Sequence, residues 1–202
     1  MLERVFAIFL AVGIYGGLHS WLASLAVKRW VRQRLGARAA RWYRLFYNVF
    51  FTLLLVPLVG VPASFPDRLL YVVPFPWRYA TFALQIAGLA LAADATFRTD
   101  LGAFLGLRPE PPATEKNLVI RGAYRWVRHP MYTGSLLFIW AMPEMTLNTA
   151  IFYAALTLYI IIGAHWEERK LLIEYGQAYA VYRQTVPMLI PRPWQKPQIQ
   201  TR

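Results

Sequence analysis

Between Arg121 and Gly134 the chain reads Arg-Gly-Ala-Tyr-Arg-Trp-Val-Arg-His-Pro-Met-Tyr-Thr-Gly. Arginines, a histidine, tyrosines and a tryptophan stand here between Lys116 and an apolar run that opens at Ser135. Cations supply hydrogen-bond donors and aromatic faces take up flat or positively charged groups, so the stretch suits a polar or anionic ligand. It equally suits a cationic, aromatic anchor at the headgroup level of a membrane. A second charged element, Glu167-Glu168, stands after the following apolar stretch. If that stretch folds as a hairpin, the cations and the carboxylates meet at its open end. Together they would suit a zwitterionic ligand carrying a ring, of which S-adenosylmethionine is an example; an Arg-Glu network that merely closes the hairpin explains the same charges.

The elements that must position these residues are membrane helices. Of 202 residues, 57% are hydrophobic and 16% charged, too apolar for a soluble chain of this length. The formal charge of +12 is interrupted by long apolar runs, which argues for membrane topology and against nucleic acid. No cysteine is present, which excludes disulfides, thiolate metal sites and a cysteine nucleophile; no metal is expected.

Spans are predicted over Val5–Leu25, Leu45–Ser64, Trp77–Thr96, Met131–Thr146 and Leu147–Ala164, the last two forming a hairpin across Pro143–Asn148. The first is read as a spanning helix, not a cleavable signal, and holds His19 and Ser20, its strongly polar members. Lys28, Arg29, Arg32, Arg34, Arg38, Arg41 and Arg44 form a loop without an acid, which by the positive-inside rule is cytoplasmic and places the N-terminus outside. The run also suits anionic lipid headgroups. Leu69–Val73 is expected at the interface, and Asp94 and Arg98 to pair at i,i+4. From His165 an amphipathic cytoplasmic helix carries Leu171, Leu172, Tyr175 and Tyr179. The expected fold is thus an all-α integral membrane bundle of about five spans, N-terminus out and C-terminus in. It is a single domain over residues 1–202, with three spans in 1–97 and loop, hairpin and tail in 98–202.

Several motifs carry a resemblance. Lys116-Asn117-Leu118-Val119, Gly122-Ala123-Tyr124, Arg128-His129-Pro130-Met131-Tyr132-Thr133-Gly134, Glu167-Glu168-Arg169-Lys170-Leu171, Tyr175-Gly176, Tyr179, Tyr182 and Val186-Pro187 resemble the isoprenylcysteine carboxyl methyltransferase and phospholipid methyltransferase superfamily of integral membrane enzymes. His19-Ser20-Trp21-Leu22-Ala23-Ser24, Trp42-Tyr43-Arg44-Leu45-Phe46-Tyr47-Asn48 and Trp140-Ala141-Met142-Pro143-Glu144-Met145-Thr146 are most similar to its methanethiol S-methyltransferase group. The chain departs from that group at Phe104-Leu105-Gly106-Leu107-Arg108-Pro109, with an extra leucine and a proline.

The resemblance implies S-adenosylmethionine bound by Lys116, Leu118, Val119, Gly122, Tyr124, Arg128, His129, Tyr132, Gly134, Glu167 and Glu168. Arg125 or Arg128 would lower the pKa of an acceptor thiol, and the candidates to act in catalysis are His129, Arg128, Glu168 and His19. The acceptor expected is a small thiol. A prenylcysteine carboxylate, a phospholipid amine, or a non-catalytic role beside a reductase are the alternatives. Membrane lipid is the expected surrounding, and a bacterial inner membrane with the site facing the cytoplasm the expected location.

Overall fold

The computed structural model describes residues 1–108 and 118–192, the side chain of Arg41 excepted. Its contacts group into two units that interleave along the chain: Met1–Val72, Leu101–Pro111 and Glu144–Tyr159 in the first, Val73–Asp100, Pro112–Pro143 and Ile160–Arg202 in the second.

The first unit opens with α1, Leu2–Leu22, whose Ile8, Val12 and Gly16 recur every four residues and form its buried stripe. Ile8 and Val12 pack with Leu58, Phe152 and Ala155. At Gly16 a side chain would collide with the ring of Tyr159. The Ser24 hydroxyl then accepts from the Val27 N–H and caps α2, Leu25–Ala63. The cationic stretch expected as a loop is therefore helical. Lysine, arginine, alanine, leucine and glutamine are good helix formers, so repulsion among its cations does not unwind it. Its one interruption is Gly36, at φ 84°, a conformation that glycine adopts without a Cβ clash. Beyond it, Trp42–Ala63 is apolar and long enough to span.

The connection that follows carries β1, Leu69–Val72, antiparallel to β2, Glu144–Thr146. An all-helical reading omits this pair. It is held by Asn148, fully buried, whose amide donates to the carbonyls of Pro62, Phe65 and Pro66 while its own N–H donates to the Asp67 carboxylate. Proline-rich backbone leaves carbonyls without ladder partners, and one buried side-chain amide satisfies three of them.

A short α4, Leu101–Leu105, completes the first unit; in the second, α3, Arg78–Arg98, packs along α5, Pro130–Trp140. Thr96 meets Met131, Gly88 meets Gly134, Gln85 meets Phe138 and Met142, and Val73 N–H donates to Pro143 C=O. These pairings run in opposite directions, so the arm Met131–Pro143 runs antiparallel along α3 although it is helical only as far as Trp140. Among the described residues four helices are long and apolar enough to span: Leu2–Leu22, Trp42–Ala63, Arg78–Arg98 and Leu147–Tyr175.

Helix α6, Leu147–Tyr175, continues through His165 into the segment expected as a separate amphipathic helix. No helix breaker stands between Ala164 and Tyr175, and the Glu-Glu-Arg-Lys-Leu-Leu run favours the helix. The break comes at Gly176, φ 53°, before α7, Gln177–Thr185.

A Cβ on Gly134 would meet the Gly88 carbonyl oxygen and the Ala92 amide nitrogen, backbone atoms that cannot turn aside. Gly134→Ala is expected to destabilise the protein by about 1–3 kcal/mol, read as a lower unfolding midpoint in detergent. Unchanged stability with impaired ligand binding would place Gly134 in a ligand site instead.

Candidate active site

The organising contact is a buried ion pair in the second unit. Arg128, 9% exposed, sets Nε 2.6 Å and Nη2 2.5 Å from Oε1 of Glu168, 5% exposed. Its remaining nitrogen, Nη1, donates to the carbonyls of Arg183, at 3.0 Å, and Val186. Backbone bonds continue the attachment: Arg128 N–H donates to Pro187 C=O, His129 N–H to Met188 C=O, and the Thr133 hydroxyl to Leu189 C=O. The segment after α7 is thereby strapped across the start of α5. Pro130 at the first helical position removes an N–H that would otherwise lack a partner.

Above this pair opens a cleft of about 690 Å³ counting its mouth. Leu118 and Val119 line one part, Tyr124, His129 and Tyr132 another, and Glu167, Tyr175 and Tyr179 the rest. Tyr132 donates to Glu167 Oε2 at 2.8 Å and stacks on His129 with ring centroids 5.4 Å apart. Glu167 is 44% exposed and presents its carboxylate to the cleft, whereas Glu168 beneath it is spent on Arg128. Neighbouring residues in one helix thus do different things, because a step of 100° turns one outward and the other inward.

His129 Nε2 and the Tyr179 hydroxyl are buried and make no close hydrogen bond among the described residues, although the Arg128 guanidinium interacts with the Tyr179 hydroxyl. Glu168 Oε1 lies 3.5 Å from His129 Nε2, too far for a good hydrogen bond. Both residues line the cleft. Burial lowers the His129 pKa; Glu167 and Glu168 oppose that shift and Arg128 adds to it, so the imidazole is neutral at pH 7. Burial, with Glu167 and Asp94 adding to it, pushes Tyr124 up to about 12, and burial with Glu168 does the same to Tyr179. Both phenols stay protonated and able to donate.

Other expected residues fall elsewhere. Gly122, at φ 59°, does not line the cleft; its Cα lies against the Arg98 guanidinium, where any side chain would overlap. Arg98 in turn holds Asp94 as the i,i+4 spacing predicts, at 2.8 Å, and Asp94 accepts from the Ala123 N–H. Gly134 packs on α3. Lys116 lies outside the described residues. His19 belongs to the first unit, where its Nδ1 lies 2.8 Å from the Tyr159 hydroxyl and Tyr15, Tyr47 and Phe51 surround the ring.

A model described as phospholipid methyltransferase matches residues 78–178, the segment from α3 to the start of α7. A methanethiol S-methyltransferase of a Pseudomonas species is 32% identical over 90% of this chain and 71% of its own length. One of Mycobacterium tuberculosis is 33% identical over 90% and 76%. The chain belongs to the phospholipid methyltransferase family. A further relative, the protein-S-isoprenylcysteine O-methyltransferase of Schizosaccharomyces pombe, is 37% identical over 37% of the chain and 33% of its own length. No solved structure matches. This member of the family is a membrane methyltransferase, and the cleft with these two buried polar atoms lies in the unit that holds most of the matched segment.

Thr99, Met131, Leu171 and Tyr182 also line the cleft of this family member without having been singled out for it. Tyr182 donates to the Tyr124 carbonyl at 2.6 Å and packs with Tyr179 and Val186. Tyr179 and Tyr182, three residues apart, share one face of α7, while Tyr175 reaches the cleft from the end of α6 across the break at Gly176. Arg128→Met would leave Glu168 charged and buried with only the looser contact to Arg183 Nε, at 3.5 Å, at a cost of up to about 3–5 kcal/mol. Thermal unfolding should show that loss, with earlier proteolysis near Val186, and Arg128→Met with Glu168→Met should recover most of it. A single variant as stable as the parent would show that the pair does not hold the strap.

Proposed function

We propose that the protein is an S-adenosylmethionine-dependent methyltransferase that S-methylates a small thiol such as methanethiol, at a site on the cytoplasmic face. The observation that carries the donor site is the cleft lining, where the Glu167 carboxylate, 3.6 Å from His129 Nδ1, is found with two buried polar atoms, His129 Nε2 and the Tyr179 hydroxyl, that make no close hydrogen bond among the described residues. Buried donors and acceptors are rarely left unpaired, so the cleft is built to be completed by a polar ligand. When bound, S-adenosylmethionine supplies a methyl group carried on a positive sulfonium. Glu167 offers it a counter-charge, Tyr124, Tyr132 and Tyr175 offer ring faces, Leu118 and Val119 an apolar wall, and His129 Nε2 and Tyr179 OH hydrogen bonds.

Arg128 is neutralised by Glu168 and satisfied by carbonyls, so we assign it a positioning role and not that of acidifying a thiol. Neutral His129 is the proton acceptor we favour, its imidazolium being stabilised by Glu168 at 3.5 Å. A small thiol is favoured over a prenylcysteine because the thiol-methylating relatives resemble nine-tenths of the chain and the prenylcysteine relative about a third.

Purified protein given S-adenosylmethionine should methylate methanethiol, with turnover falling as the thiol's alkyl chain lengthens. Each methylene adds about 0.8 kcal/mol only where apolar space receives it. Rates should rise with pH as the thiolate fraction grows. His129→Asn should lose about 10²–10⁴-fold at neutral pH and recover towards high pH, where the thiol is already ionised. Methylation of a farnesylcysteine or an aminophospholipid with none of small thiols would reject the acceptor assignment.

A further inference from the structure

A second concavity lies entirely in the first unit. It is a groove of about 1310 Å³ counting its mouth, lined by Trp21, Val27, Trp30, Val31, Trp42 and Phe46 among others, and its wall is almost wholly apolar. Gly36 creates it. The positive φ there separates the limb Leu25–Leu35 from the rest of α2, and the groove is lined from both limbs and from the end of α1. Val31 is buried, while Trp21, Trp30 and Trp42 are each more than half exposed. Half-exposed tryptophans with an apolar body and an N–H are the side chains that settle where hydrocarbon meets headgroup.

The charges around the groove identify its occupant. No acidic residue lies between Glu3 and Asp67, whereas Lys28, Arg29, Arg32, Arg34 and Arg38 all lie within or beside the first limb. Leu25, Lys28, Arg29 and Arg32 line a concavity of their own. At 100° per residue these four cluster on the side of the limb opposite Val27, Trp30 and Val31. Arg34 is different: it follows Val27 and Trp30 at i+7 and i+4, on the groove side, one turn beyond the last tryptophan of the limb. It is exposed and makes no hydrogen bond or ion pair among the described residues. An apolar trough with a cation on the same helical face, in a helix without carboxylates, complements a molecule with an apolar chain and an anionic head.

We propose that this groove seats one anionic phospholipid, an acyl chain lying along Trp30, Val31 and Phe46 and the phosphodiester on Arg34, in the positive field of Arg29 and Arg32. The seat lies apart in the chain from the donor cleft and does not depend on the methyl-transfer reading. It makes the cationic stretch a lipid-reading element as well as an orientation signal.

The test uses the full chain in detergent, titrated with phosphatidylglycerol and with phosphatidylcholine carrying brominated acyl chains, with tryptophan fluorescence quenching as the readout. Phosphatidylglycerol is expected to quench at a concentration lower by at least about tenfold, given roughly fivefold per cation near an anionic headgroup. Arg29→Gln with Arg34→Gln should erase that preference and leave quenching by phosphatidylcholine in place, and Trp30→Phe should reduce the quenched amplitude. Equal midpoints for the two lipids in the parent protein, or a preference that survives both arginine substitutions, would overturn the proposal. So would an unchanged amplitude in Trp30→Phe, or displacement of the lipid by soluble glycerol phosphate at similar concentration, which would make this a phosphate site and not a lipid seat.

Discussion

Removing either member of the Arg128–Glu168 pair would leave a full charge in an environment from which most water is excluded. Desolvating two such ions costs several kcal/mol each, and their attraction offsets this only when the remaining donors and acceptors are also satisfied. That condition explains the local architecture. The spare Arg128 nitrogen needs carbonyls, the carbonyls of Arg183 and Val186 supply them, and the chain after α7 is consequently drawn across the start of α5. Once it is there, Arg128, His129 and Thr133 bond to its next three carbonyls, and Tyr179 and Tyr182 are sealed against Val186. The strap thus fixes from behind residues that line the cleft, Arg128, His129, Tyr179 and Tyr182 among them.

The same pair decides which carboxylate can meet a ligand. Glu168 is consumed, so Glu167, one helical step away and steered by the Tyr132 hydroxyl, is the negative group that the cleft presents. It also holds His129 between opposing influences. Burial favours the neutral ring while two nearby carboxylates favour the charged one, leaving an imidazole that is neutral at rest and placed to be stabilised if it takes a proton.

Much of this site was legible because its chemistry requires conspicuous residue types. Arginine, histidine and glutamate crowded against apolar spans are conspicuous, and their clustering in Arg121–Gly134 and Glu167-Glu168 points to the cleft. Sequence spacing could not divide the labour between adjacent glutamates, since that rests on helix rotation. Nor could it separate glycines that touch a ligand from those that let backbones approach: Gly122 accommodates Arg98 and Gly134 accommodates α3. The cationic stretch was read as a loop because charge is associated with exposure, yet its residues are strong helix formers and only Gly36 breaks it. Asn148 drew no notice, because an isolated polar residue at a turn gives no hint that proline-rich backbone elsewhere will need its amide.

The division between the two glutamates is the most exposed claim, and calorimetric titration with S-adenosylmethionine and its demethylated product addresses it directly. The parent protein should bind both. Glu167→Gln should weaken S-adenosylmethionine binding by roughly ten- to hundredfold, the loss of a charge-assisted contact worth about 1.5–3 kcal/mol, with its unfolding midpoint unchanged. Failure of the parent to bind either compound, or unaltered affinity in Glu167→Gln, would contradict the donor site described for this cleft.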